Sequence, residues 1–149
     1  RVKTVESRTG ETPTTVWDMR RVLEDKEIDA VSFATPNFWH ALGTIWACQA
    51  GKHVYVEKPA TYGVFEGRKM VEASRKYNVR VQTGLQNRSI PTVMDAIKFL
   101  HDGGIGEVFM AKGTCYKPRD SFGIAPDSEP PATLHYDNCV GPCHRQTYI

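Results

Sequence analysis

The sequence predicts an α/β fold, with parallel strands and helices alternating as βαβαβ, followed by the start of an α+β domain. Three observations carry this. Short apolar runs rich in β-formers recur at residues 28–34, 52–56 and 79–83, each too short for a helix. Stretches with helical apolar spacing separate them, long enough for the crossovers that parallel strands require. After Lys117 the pattern breaks, because Pro118, Pro126, Pro130, Pro131 and Pro142 exclude regular structure over much of the tail.

Each element has its own signal. Val16, Met19, Val22 and Leu23 make a helical stripe over 15–23, with Arg20 and Arg21 outward. The run 28–34 is nearly all apolar and reads as a strand buried on both faces, so helices are expected on both sides of the sheet. Thr35-Pro36-Asn37 stops it. Pro36 suits a first helical turn, with Thr35 as a candidate cap, and a helix over 38–49 ends at Gly51. After the strand at 52–56, a helix over 64–77 stops at Asn78, a candidate left-handed cap. A third strand at 79–83 leads to a helix over 91–101, capped by Ser89 and stopped by Gly103-Gly104. Residues 107–115 read as a fourth strand.

Bulk properties exclude several classes. A formal net charge of +2 is too small to argue for nucleic acid or an anionic membrane as partner. No apolar run approaches the roughly 18 residues that span a bilayer, and the start lacks a signal-peptide core. The chain reads as soluble. Of four cysteines, Cys48 lies in an apolar helical run and is expected in the core. Cys139-x-x-x-Cys143-His144, with Cys115 or His135 nearby in sequence, matches no strong metal template, so free thiols and no metal are expected. Trp17, Trp39 and Trp46 read as core or interface residues.

The residues that carry chemistry fall at strand ends. In open parallel sheets, ligands bind outside the carboxyl ends of the strands. Thr35, Asn37 and His40 follow the first strand, Glu57 and Lys58 the second, and Gln86, Asn87 and Arg88 the third. Hydroxyl, amide, imidazole, carboxylate and cation thus converge on one sheet edge. Each has an ordinary alternative: Thr35 as a helix cap, Asn37 as a turn residue, His40 as a packed histidine, Glu57-Lys58 as a solvated pair, Gln86 and Arg88 as caps. Pro59 weighs against solvation for the pair, since it stiffens the loop beside it.

The stretch from Ile28-Asp29-Ala30-Val31 through Ala34-Thr35-Pro36-Asn37-x-x-His40 to Ala50-Gly51-Lys52-His53-Val54-Tyr55-Val56-Glu57-Lys58-Pro59 resembles the Gfo/Idh/MocA oxidoreductases. The likeness continues through Glu66-Gly67-Arg68, Val81-Gln82-Thr83-Gly84-x-Gln86-x-Arg88, Gly104-Ile105-Gly106-Glu107-Val108, Tyr136-Asp137 and Gly141-Pro142. It implies the C-terminal half of a Rossmann-type domain binding NAD or NADP at residues 1–88, and the beginning of a substrate domain at 89–149. It also implies hydride transfer to or from a sugar, polyol or related hydroxy compound, in a parent that is a homo-oligomer. By the same resemblance Thr35, Pro36, Asn37, His40, Glu57, Lys58, Pro59 and Gln86 border the dinucleotide. Lys58 holds the reacting substrate oxygen as the catalytic residue. Pro59 is expected to follow a cis peptide bond.

Three departures qualify that expectation. The sequence holds no G-x-G-x-x-G turn to cradle a pyrophosphate. The family's later aspartate–histidine proton-transfer pair would lie beyond Ile149, and Asn138-Cys139 replaces a usually bulky apolar pair. Arg1 stands where a Met would begin a gene product, so the chain reads as an internal piece whose leader, if any, is not seen; compartment is open between cytoplasm and export. Two alternatives compete with the dehydrogenase: an NAD-dependent glycoside hydrolase of the same superfamily, disfavoured by Glu-Lys-Pro, and a non-catalytic binding module, favoured by the absent turn. Cut from its first strands, such a sheet has an apolar open edge. The 149-residue chain alone is therefore expected to associate or unfold readily and to show no turnover. Sedimentation, urea unfolding and a dehydrogenase assay check this, and cooperative monomeric unfolding with activity would overturn it.

Overall fold

Alternation along the strands organises the first half of the protein. In the computed structural model, which describes residues 2–121, 123–143 and 147–148, the chain divides into the units Arg1–Gly84 and Leu85–Ile149. That division falls four residues before the boundary read from the sequence. The first unit contains α1 (Val2–Thr9), α2 (Met19–Glu24), β1 (Ala30–Phe33), a 3₁₀ turn (Asn37–Trp39) leading into α3 (His40–Gln49), β2 (His53–Val56), α4 (Val64–Lys76) and β3 (Val81–Thr83). The strands form one parallel sheet in the order β1-β2-β3. Val31, Val54 and Val81 lie side by side, as do Phe33, Val56 and Thr83.

These rows face the helices. Phe33, Val54 and Val56 form one buried cluster with Ala41 and Ala47 of α3, Met70 of α4 and Leu23 of α2. Cys48, Ala73 and Val79 form a second, so Cys48 is the core residue its context predicted. Gly43 lets α3 close on the sheet, because a Cβ there would stand 2.9 Å from the Phe33 ring.

The expectation of burial on both faces is corrected. Ala30 and Ser32 are exposed between half-buried Val31 and buried Phe33. Strand order explains it: two right-handed crossovers advancing in the same direction place both helices on one face. Covering the other face needs a reversal of strand order, which these three strands do not contain.

Local chemistry moved several boundaries. The first predicted helix begins at Met19 rather than residue 15, because Asp18 is its N-cap and accepts from the Arg20 amide at 2.9 Å. Trp17, ahead of that cap, is 76 % exposed rather than packed. Gly51 and Asn78, the expected helix stops, take φ of 74° and 51°. Thr35 does not cap: Pro36 precedes the 3₁₀ turn with no side-chain cap bond. In the second unit, a 3₁₀ turn (Gln86–Ser89) precedes α5 (Pro91–His101), and α6 (Tyr136–Val140) follows later. Ile90, not Ser89, occupies the N-cap of α5, without a side-chain bond. Residues 107–115 form no strand. A strand needs a neighbour to accept its ladder, and the described residues outside the three-stranded sheet supply only the isolated bridges Gly104–Gly106 and Ser128–Tyr148. Among the described residues no helix is long and apolar enough to cross a membrane.

The Asp18 cap is also an acid-sensitive feature. Its carboxylate bonds the Arg20 guanidinium at 2.6 Å, and Arg20 in turn lies over the Trp46 ring of α3 at 5.9 Å. The hydrogen bonds from the Arg20 side chain and amide lower the Asp18 pKa from 3.8 to about 2. A depressed folded-state value means that this cap stabilises fully above 3.8 and is lost as pH falls through about 2. NMR titration of the Asp18 carboxyl is expected to show a midpoint near 2, and Asp18→Asn should abolish the acid-dependent loosening of α2 in that window.

Candidate functional site

Because the strands are parallel, their carboxyl ends share one edge, and the ladder continues one residue past two of them. The Glu57 amide donates to the Phe33 carbonyl at 2.9 Å, and the Gly84 amide to the Val56 carbonyl at 2.8 Å. Polar residues then leave the sheet in two loops, Thr35-Pro36-Asn37 and Glu57-Lys58-Pro59. The Lys58–Pro59 bond is cis, as expected.

Within this unit the predicted residues divide by exposure. Pro36, Asn37, Lys58 and Pro59 are exposed, Thr35 and Glu57 are half-buried, and His40 is 1 % exposed. The Glu57 carboxylate accepts from the Lys58 amide at 3.2 Å, which sets the turn of the loop. Among the described residues the Lys58 ammonium meets no carboxylate, so its charge remains available at the edge. The Thr35 hydroxyl is the opposite case, a polar atom screened from water with no hydrogen-bond partner among the described residues. Such an atom is costly unless something donates to it or accepts from it. His40, the first residue of α3, sits beneath both loops. Its Nδ1 lies 2.7 Å from the Pro59 carbonyl oxygen and its Nε2 3.0 Å from that of Thr35.

Two residues that the sequence reasoning named in the family likeness, without giving either a role, complete the loops. Glu66 accepts from the amides of Tyr62 at 3.0 Å and Gly63 at 3.1 Å, tying the end of the second loop to the start of α4. Glutamate three positions into a helix is a capping signal, masked here because the cap is Gly63 rather than a hydroxyl residue. Gly84 is the other: a Cβ there would lie 2.8 Å from the Tyr55 hydroxyl and 3.2 Å from Glu57 Oε2. Only a bare backbone passes these groups at that distance. Gln86 lies in the second unit, in the turn Gln86–Ser89, with Asn87 and Arg88.

No group of three or more His, Cys, Asp or Glu residues among those described is placed to hold a metal ion. Cys115, Cys139 and Cys143 are exposed free thiols. His144 lies outside the described residues.

Residues 1–85 match the family described as oxidoreductases with an NAD-binding Rossmann fold, Gfo/Idh/MocA. A levoglucosan dehydrogenase of Pseudarthrobacter phenanthrenivorans is 35 % identical over 97 residues, covering 65 % of this chain and 25 % of the relative. The scyllo-inositol 2-dehydrogenase (NAD(+)) of Bacillus subtilis is 36 % identical over 96 residues, covering 64 % and 28 %. Among solved structures, a 3-ketoreductase from Actinomadura kijaniata in complex with TDP-benzene and NADP superposes with a TM-score of 0.62 at 27 % identity, covering 71 % of this chain and 33 % of that one. The chain thus spans between a quarter and a third of the length of these proteins.

The orphaned hydroxyl yields a direct test. Thr35→Val keeps the shape of the side chain and deletes the unpartnered group, so without ligand it is expected to be neutral or to stabilise by about 1 kcal/mol. Urea unfolding checks this. A loss of similar size would mean that the hydroxyl is already satisfied.

Proposed function

The chain belongs to the Gfo/Idh/MocA family of oxidoreductases, and on that premise we propose that it supplies the nicotinamide side of an NAD(P)-dependent enzyme. That enzyme moves a hydride to or from a sugar, polyol or related hydroxy compound. The observation that carries the reading is the Lys58 ammonium, exposed and, among the described residues, without a carboxylate partner at the carboxyl edge of a parallel sheet, on a loop tied on both flanks.

The residues present fit one end of a dinucleotide. Asn37, exposed after β1, supports a polar ligand contact there, with half-buried Thr35 beside it. Pro36 and Pro59 complete the proposed lining within the first unit, and Gln86 keeps only the dinucleotide-bordering role that the family likeness suggests. His40 contributes from below, since its burial leaves no surface for a ligand. The pyrophosphate-cradling turn is not among the 149 residues, so this chain accounts for the nicotinamide end only. When bound, the nicotinamide supplies the hydride donor or acceptor. The protein's own part is electrostatic. Lys58 donates to the substrate oxygen and stabilises the negative charge that develops there as the carbon–hydrogen bond forms or breaks. Glu57, by engaging the Lys58 amide, holds the main chain from which that ammonium projects. The whole protein is further read as a homo-oligomer acting in water on a sugar-like small molecule, a reading supported by the family likeness.

The test uses the whole gene product. NADH and NADPH are titrated by nicotinamide fluorescence, and turnover is assayed on levoglucosan, inositols and aldoses. Lys58→Ala is expected to lower kcat by roughly 10²–10³-fold, the usual cost of one such donor, with nucleotide affinity little changed. Retained turnover would sink the role of Lys58, and failure of either nucleotide to bind would sink the reading as a whole.

A further inference from the structure

Main-chain bonding between the two site loops stops early. The last rung joins Glu57 to Phe33. Beyond it, among the described residues, no main-chain hydrogen bond links 35–37 to 58–61. Proline explains part of this, since Pro36 and Pro59 carry no N–H to donate. The carbonyls of Thr35 and Pro59 are left facing inward, and the groups that meet them are the two nitrogens of one buried imidazole. Carbonyl oxygens only accept, so each contact is a hydrogen bond when the facing nitrogen carries a proton; the imidazolium makes both and the neutral ring one.

We propose that His40 is a positioning residue, which holds the turn after β1 and the Glu57-Lys58-Pro59 loop at a set separation and thereby aims Lys58. At 1 % exposure the ring has no path to a ligand unless the loops part. One of its two contacts falls on the residue next to Lys58. The ring is held in place because it starts α3, which is locked into the core through Ala41 and, two turns on, Ala47. The aiming of Lys58 rests on the catalytic reading above; the joining of the two loops does not.

Three variants separate the contacts in the whole gene product. His40→Asn keeps a donor near the Nδ1 position, His40→Gln keeps one near Nε2, and His40→Leu fills the space with neither. Amide hydrogen exchange without nucleotide is read at Lys58, Ala60 and Thr61. Exchange there is expected to rise at least tenfold in His40→Leu and His40→Gln, and to stay near the wild-type rate in His40→Asn. With the best substrate of the panel, kcat should fall at least tenfold in His40→Leu while the Kd for NADH moves less than threefold, since small misplacement of a reacting group is costly. His40→Asn should restore most of kcat. If His40→Leu does not fold, the Asn and Gln pair decides by the same exchange contrast. Unchanged exchange in both, or loss of NADH affinity with unchanged exchange, would overturn the proposal. Lys58→Ala keeps the arms distinct, because it should lower kcat by roughly 10²–10³-fold yet leave loop exchange untouched; if Lys58→Ala keeps the wild-type kcat, the catalytic reading fails while the exchange data still decide whether His40 joins the loops.

Discussion

Strands that run in the same direction must each be returned across the sheet by a crossover, and the favoured hand of that crossover leaves little freedom afterwards. Three consequences appear together here. The carboxyl ends of β1, β2 and β3 lie on one edge, so every residue that follows a strand is delivered to the same place. Helices α3 and α4 lie on one face and share a core with the valine row of the sheet. The remaining face, with Ala30, Ser32, His53 and Gln82, stays open in the first unit.

At the edge itself, order comes from many weak ties rather than one strong one. The ladder overruns β2 and β3 by a residue each, Glu57 turns back to its neighbour's amide, and Glu66 secures the far end of the same loop. Among the described residues no carboxylate pairs with the cation they surround, Lys58, which is costly for a folded protein only if buried; here it is exposed.

Much of this was legible in the sequence, and the reasons differ by element. The three strands and the helices between them were readable because a short β-rich run and a dozen-residue helical stripe have unlike periods. Helix stops at Gly51 and Asn78 were readable because few residues accept a positive φ. What failed was whatever depended on a partner. Residues 107–115 have the composition of a strand but no neighbour to pair with, and Ser89 has the chemistry of a cap one position too early. The candidate site was visible as a set of positions after strands, and Lys58 and Thr35 stand at the edge where that placement put them. Its internal wiring was not visible, because Gly84 acts by what it lacks and His40 by pointing inward, neither of which residue spacing encodes.

That inward wiring has a consequence for how the site can change over time. Both groups that meet the His40 ring are main-chain carbonyls, which every amino acid carries. Position 35 can therefore exchange its side chain without surrendering its half of the contact, whereas position 40 cannot. Variation can accumulate on the exposed rim while the His40 ring keeps its two main-chain contacts beneath it. A loop built this way can be retuned toward a different hydroxy compound by substitutions at its rim, with no need to reinvent the geometry that presents them.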